Sequence, residues 1–498
     1  MTKQLKLFAA FILIPLLGLL GLTSCKDADD GISEWTVMVY MAGDNSLSSY
    51  VYLDLDEIEQ GLYNAVEAGN YSVTGDIKVL VLTDKSDGDD SILFLASPDN
   101  DGSEIASTVI EDGIYGRDSE FNMADPDTLQ AFIEYGIANY PSTYTSLILW
   151  NHGGGVKGTD NSGSINKEIL GDSDDSGDEV YMYLNEVQTA VSAAMADEKL
   201  DIIGMDACLM GEVETAYEMS SIADYFVASM ASEWGSGWDY EEIFSDFDAG
   251  VPEPKELAVT FVNQYYDSTN DAGTGYPNTM TAVDTSMLAD LKAEIDALAE
   301  LIYVYDSGTT AQDEFQALRD ESAYYYTLVD ENNPYYELYI LYYPYYDLYD
   351  FCTNIAASGV FDSEIQSQAG TVLSALDNAV IAAYGDSGSS DASSSAPLNL
   401  DYYDTDDDSA VRGLSIFIPH GDMEIEISED EFISHYAYYD GWYIEDLVYD
   451  SSGDELGGLD FCTYDDDGVV ETWRELLEAW YDNYPDEGDG DGYTVGNY

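Results

Sequence analysis

Short apolar runs alternate with amphipathic stretches along the first half of the chain, a pattern that predicts an α/β architecture. Trp35 to Met41 reads as a strand, followed by Ala42-Gly43-Asp44-Asn45-Ser46 and a helix from Leu47 to about Val66, which Asp44 or Asn45 is placed to cap. Ile77 to Thr83 is a buried-type strand with Ser91 to Ala96 as its partner. Asp125 to Tyr140 is a helix with Pro126 in its first turn, and Thr145 to Trp150 is the next strand. Residues 153–182, rich in Gly, Ser and Asp, read as a long exposed loop. A helix from Leu184 to Ala196, a strand from Asp201 to Met205, a helix from Met210 to Ser221 and a strand from Asp224 to Met230 follow. Such alternation implies a mainly parallel sheet flanked by helices.

From about 253 to 385 the period becomes helical, with segments near 255–270, 286–305, 311–329 and 362–384. The tyrosine-dense run Tyr335 to Tyr349 reads as an amphipathic face with tyrosines in place of aliphatics, or else as a carbohydrate-stacking surface. Residues 386–396 are a Ser, Gly and Asp linker. Arg412 to Pro419 resumes the strand pattern and is expected to complete the sheet. His435 falls in an expected surface helix, Glu471 to Asn483 in another, and the acidic Gly and Tyr tail reads as disordered.

Charge narrows the function classes. Against 14 basic residues the chain has 100 acidic ones, a formal net charge of −86. Such a surface repels nucleic acid and attracts cations and basic peptides. An acid-rich surface also serves solubility in high salt, and both readings stand at this point.

The N-terminus reads as an export signal: Lys3 and Lys6, an apolar core from Leu7 to Leu22, then Leu22-Thr23-Ser24-Cys25, which resembles the lipobox of bacterial lipoproteins. That resemblance implies cleavage after residue 24, lipidation of Cys25 and a short acidic tether over 25–33. An exported protein held at a membrane, facing the periplasm or cell exterior, follows from it. Of the other thiols, Cys352 and Cys462 either pair or stay buried and free, and Cys208 is left single.

Cys208 lies at the end of a strand and just before an expected helix, where a thiol is displayed and a helix N-terminus favours thiolate. It needs a base, and the chain offers three histidines. His152 is preferred because it also follows a strand, precedes Gly153-Gly154-Gly155, and stands 56 positions upstream, near the spacing of caspase-type enzymes. His420 is the rival and His435 the weakest. The Gly153 and Cys208 amides are placed to hold an oxyanion. If the strand persists to Cys208, Asp206 points the same way, which suits a pocket for a basic side chain. Glu233 or Asp239, in the loop after the next strand, is a candidate second charge.

Taken together, Val39-Tyr40-Met41-Ala42-Gly43-Asp44-Asn45, Trp150-Asn151-His152-Gly153-Gly154-Gly155, Asp206-Ala207-Cys208-Leu209-Met210 and Gly413-Leu414-Ser415-Ile416-Phe417-Ile418-Pro419 resemble the clostripain family of cysteine peptidases. The resemblance implies a caspase-like peptidase domain over 34–420, with a largely helical insertion at about 253–385 and a C-terminal extension over 421–498. It implies a Cys208–His152 dyad, protein or peptide substrates cleaved after Arg or Lys, no cofactor for the chemistry, and calcium as an assisting ion. It also implies activation by cleavage between histidine and cysteine, for which Lys157 and Lys167 are the basic residues of the loop. No calcium ligands are named by the sequence, since an EF-hand spacing around Gly177 has Tyr183 where the loop needs Glu. The reading from another class is a non-catalytic binding lipoprotein on a degenerate peptidase scaffold.

Overall fold

The computed structural model describes residues 32–497 apart from 69–75, 87–90, 103, 112, 115–119, 157–168, 174–178, 197, 250, 272–277, 306–308, 326–343, 387–412, 420–422, 429–430, 436–458, 464–467 and 482–492. Cys25, Lys157, Lys167, His420, all but the first residue of the 386–396 linker and most of the tyrosine-dense run lie outside the described residues.

In chain order the first strands are β1 (Ser33–Gly43), β2 (Ile77–Lys85), β3 (Ile92–Leu95), β4 (Thr108–Val109) and β5 (Ser142–Trp150), with helices α1 (Val51–Glu67) and α2 (Pro126–Asn139) between them. A small pair, β6 (Ile169–Ser173) and β7 (Glu179–Met182), leads through α3 (Leu184–Met195) to β8 (Leu200–Asp206), α4 (Val213–Met219) and β9 (Ala223–Ala228). β1 pairs in parallel with β2 on one side and β5 on the other, and β5, β8 and β9 continue in parallel outward. The strand order therefore reverses at the β1–β5 junction, and the carboxyl ends of β5 and β8 stand beside it. In open α/β sheets such a junction opens a ligand crevice.

Why these segments form central strands is visible in their two faces. Val37, Val39 and Met41 enter one core while Met38, Tyr40 and Ala42 enter the other, all fully buried. Each such aliphatic side chain contributes about 2 kcal/mol of burial, so a strand apolar on both faces is stable only between two helical layers. Asp125 caps α2 by accepting the Asp127 N–H, with Pro126 in the first turn, as the sequence predicts.

After β9 come α5 (Tyr240–Ser245), α6 (Pro254–Asp271), β10 (Asn278–Asp284), α7 (Leu288–Tyr305), α8 (Thr309–Asp320), β11 (Tyr324–Tyr325), β12 (Tyr345–Asp347), α9 (Leu348–Ala357), α10 (Ser363–Ala379) and β13 (Val380–Asp386). The largely helical insertion thus also sends β10 and β13, both antiparallel, to the edge of the nine-stranded sheet β13-β10-β9-β8-β5-β1-β2-β3-β4.

Several local expectations are corrected. The loop 153–182 contains the pair β6 and β7, which the Gly and Ser content conceals. β14 (Ser415–Phe417), expected to complete the main sheet, instead joins β12 and β11 in a small sheet of its own. Tyr345 and Tyr346 are buried strand residues there, not a helix face. β15 (Met423–Ser428), β16 (Glu431–His435) and β17 (Tyr493–Asn497) form a third sheet, so His435 lies in a strand and the tail ends in one. Near the C-terminus α11 (Trp473–Tyr481) buries Trp473 and Leu477 against the helical layer of the insertion. Cys352 and Cys462 are both buried free thiols, each pushed up by burial.

Candidate active site

Trp150 and Asp206 are register partners at the ends of β5 and β8, and the Asn151 N–H donates to the Asp206 carbonyl at 3.2 Å. His152 and Cys208 each lie two residues beyond that pair. Neighbouring strands stand about 4.8 Å apart, so the two loops leave the sheet side by side. Both residues line one cavity of about 430 Å³, together with Asn151, Asp206 and Glu233.

The loop around Cys208 is fixed by main-chain bonds. The Leu209 N–H donates to the Ala231 carbonyl at 2.9 Å and the Gly211 N–H to that of Ser229 at 2.7 Å. Leu209 adopts φ +63°, a left-handed conformation that turns the chain immediately after the thiol. The Glu233 N–H donates to Cys208 Sγ at 3.2 Å, a contact that favours thiolate. Sγ lies 3.7 Å from the Glu233 carbonyl oxygen, the acceptor available to a thiol proton. The expected helix N-terminus is absent from this environment. α4 begins at Val213 with Glu212 at its N-cap, four residues past Cys208, because the chain first completes the turn at Leu209.

The loop around His152 is held differently. Asn45 Nδ2 donates to Asn151 Oδ1 at 3.0 Å and to the Gly171 carbonyl at 3.2 Å, and Asn151 Nδ2 donates to the same carbonyl at 2.7 Å. Asn151 Oδ1 also accepts the His152 N–H. Ser46 Oγ is 2.7 Å from His152 Nε2. Asn45 is therefore no helix cap: α1 starts at Val51 after Tyr50, and the asparagine amide ties three loops together instead. Ser46 was missed by the sequence reading. Its available signal was position, since it too follows a strand at the carboxyl edge of the sheet. Behind the histidine, Tyr345 donates its hydroxyl to the Gly154 carbonyl at 2.8 Å. At Gly155, φ +78°, a Cβ would stand 2.1 Å from Glu212 Oε1, so only glycine fits.

Gly153 packs directly on the Cys208 loop, where a Cβ would come within 2.2 Å of the Cys208 carbonyl oxygen. It forms an antiparallel bridge with Ile169.

Two carboxyls lie beneath the cavity. Asp206, although the strand ends there, lines the same cavity as Cys208, and Oδ2 accepts the Tyr240 hydroxyl at 2.8 Å and the Trp238 N–H at 3.2 Å. Burial pushes its carboxyl up to about 6, and the contacts from Tyr240, Glu233 and Trp238 limit the rise. Glu233 is raised further, first by burial and then by the Asp206 and Cys208 charges. The Ala207 N–H is the donor that faces the Glu233 carboxylate and lowers its pKa, a smaller effect than burial. The pair is satisfied when Glu233 carries a proton and donates it to Asp206. Asp239 does not join them: it caps α5 by accepting the Glu242 N–H at 3.0 Å and lines a neighbouring cavity.

Comparison with known proteins adds the following. The profile of the clostripain family matches residues 39–480. Clostripain of Hathewaya histolytica is 26% identical over 505 residues, spanning 91% of this chain and 88% of that protein. A secreted C11 cysteine protease from Bacteroides thetaiotaomicron, solved in complex with an irreversible peptide inhibitor, is similar with a TM-score of 0.52 and 22% identity, covering 78% of this chain and 93% of that one. An inactive zymogen C11 protease from Parabacteroides distasonis is similar with a TM-score of 0.55 and 24% identity, again covering 78% and 93%.

Proposed function

Since the chain belongs to the clostripain family and is a cysteine endopeptidase, we propose that Cys208 and His152 form its dyad and that it cleaves peptides after Arg or Lys. The observation that carries this is the meeting of the β5 and β8 ends in one cavity with a thiol, an imidazole and a buried carboxyl pair. Cys208 attacks the scissile carbonyl as its proton passes to His152. The oxyanion is held by the Gly153 and Cys208 amides, and His152 returns the proton to the leaving amine. Water then hydrolyses the acyl-enzyme, with His152 as base. A P1 cation entering above Asp206 and Glu233 replaces the proton that keeps the two carboxyls together there. A degenerate scaffold would match the same family; what favours the catalytic reading over a non-catalytic binding lipoprotein is that Cys208 and His152 are both present and line one cavity.

Other parts of the proposal are supported by sequence. Export fits the N-terminal signal and the secreted relative, and anchoring through a lipid on Cys25 fits the lipobox pattern. No helix among the described residues is long and apolar enough to cross a membrane. Cys25→Ser should move the protein from the membrane fraction to the soluble one. Processing at Lys157 or Lys167 fits the composition of their loop, and equal intact masses for wild type and Cys208→Ala would remove it.

For calcium, Asp44, Asp84 and Glu120 place carboxylate oxygens within 4.8 Å of one another, a donor set suited to a hard cation. They would hold the ion beside Asn45 and Ser46, where it would supply local charge neutralisation. Hydrolysis of a fluorogenic Arg or Lys peptide by wild type, Cys208→Ala and His152→Ala, with and without chelator, tests the whole reading. Activity surviving the cysteine change would overturn it.

A further inference from the structure

Beside the cavity of Cys208 lies a second one of about 170 Å³, and Trp234 and Gly237 form a wall common to both. α1 gives it Glu57, the loop after β9 gives Trp238 and Asp239, and α6 gives Ser268 and Thr269. Its lining thus holds two carboxyls and two indoles, with no basic side chain to neutralise them. Glu57 receives the Tyr240 N–H, yet its Oε2 is buried without a hydrogen-bond partner. A buried carboxylate oxygen left in that state is costly. An organic cation is what completes it, because an ammonium or guanidinium donates to the oxygen and is also welcome against indole.

We propose that this cavity is a second cation subsite of the peptidase, taking the ammonium or guanidinium group of another basic residue of the substrate. The shared wall makes substrate the source of that group. A peptide whose P1 cation occupies the first cavity has its neighbouring side chains within reach of the second, whereas a free amine gains nothing from the proximity. The inference rests on the reading of the first cavity as the pocket for a basic P1 side chain.

The electrostatics give the subsite a pH dependence of known sign. Burial, and next the Asp239 charge, push the Glu57 carboxyl up to about 8. Asp206 from β8 and Glu241 from α5 raise it too, Asp54 is its acidic neighbour on α1, and among the described residues α6 presents the Ser268 and Thr269 hydroxyls to the cavity. A bound cation favours the ionised form. The preference for a second basic residue should therefore strengthen as pH rises toward 8 and fade below it.

The test is a set of fluorogenic peptides with Arg fixed at P1 and one Lys, or Gln as its control, moved through P3, P2, P1′ and P2′. The measured quantity is the Lys-to-Gln ratio of kcat/KM at each position. In wild type one position should exceed the others by about tenfold, of the order expected for a desolvated charge pair. Glu57→Gln and, independently, Asp239→Asn, which keeps a capping side chain on α5, should each collapse that excess. A ratio equal at every position would reflect only the overall negative field and would overturn the proposal, as would an excess that survives both substitutions. If wild type fails to hydrolyse the P1-Arg peptide with Gln at all other positions, the reading of the first cavity fails instead.

Discussion

The two halves of the site are built from different chemistry. The thiol's half rests on main-chain bonds and on the carboxyl pair Asp206 and Glu233, which lines its cavity. The histidine's half rests on amides and hydroxyls, namely Asn45, Asn151, Ser46 and Tyr345. Main-chain bonds tolerate side-chain change and buried acids titrate. Amide networks do neither. Substitution should therefore disturb the base more readily than the nucleophile's position, and pH should disturb the nucleophile's surroundings more than the base's scaffold.

The largest effect expected is loss of the proposed dyad. Cys208→Ala should remove hydrolysis, and His152→Ala should lower kcat by about 10³-fold. Asp206→Asn comes next, with a fall of about 10²-fold in kcat/KM for basic P1 peptides and much less for neutral ones. Because a bound cation favours ionised Asp206, KM for basic peptides should improve as pH rises through about 6, and Asp206→Asn should flatten that dependence. Asn45→Ala and Asn151→Ala, which free the histidine loop without touching a reacting atom, should each cost about 10-fold to 10²-fold in kcat with KM little changed. If instead they raise KM and leave kcat, the amide network holds substrate and not the base.

Smaller effects sharpen the contrast. Ser46→Ala should reduce kcat about threefold and shift the pH profile, since it removes one hydrogen bond to an exposed imidazole. Buried acids outside the cavity should appear in stability. Burial pushes Glu218 up to about 8 and raises Glu212 as well. A carboxyl whose folded pKa exceeds its unfolded one binds more protons when folded. Its contribution is full below about 4.5 and lost as pH rises through 8. Thermal unfolding should thus fall in temperature across that window, and Glu218→Gln should blunt the fall.

What was legible in the sequence follows the same divide. Cys208, His152 and Asp206 could be read because each ends a strand apolar on both faces, and the parallel sheet that such strands imply places their ends together. Glu233 and Asp239 stand in one loop and looked equivalent. A single turn separates them into two cavities, and no periodicity records which side of a turn a side chain takes. Asn45 was hidden by its suitability as a cap for a helix from Leu47, where the chain instead makes a turn before α1 starts at Val51, and Ser46 has no periodic pattern to mark it. The run ending at Pro419 does contain a strand, yet its partners are Tyr345, Tyr346 and Asp347, set by an insertion about seventy residues upstream. Pattern specifies that a strand exists, and only packing specifies its neighbour.

The central claim is that Cys208 is the nucleophile of a site built for a basic P1 residue. Labelling with an irreversible peptide electrophile bearing Arg at P1, followed by peptide mass mapping, tests it directly. One adduct is expected, on Cys208, lost in Cys208→Ala and weakened in Asp206→Asn. An adduct on Cys352 or Cys462, or equal labelling by a neutral P1 analogue, would contradict it.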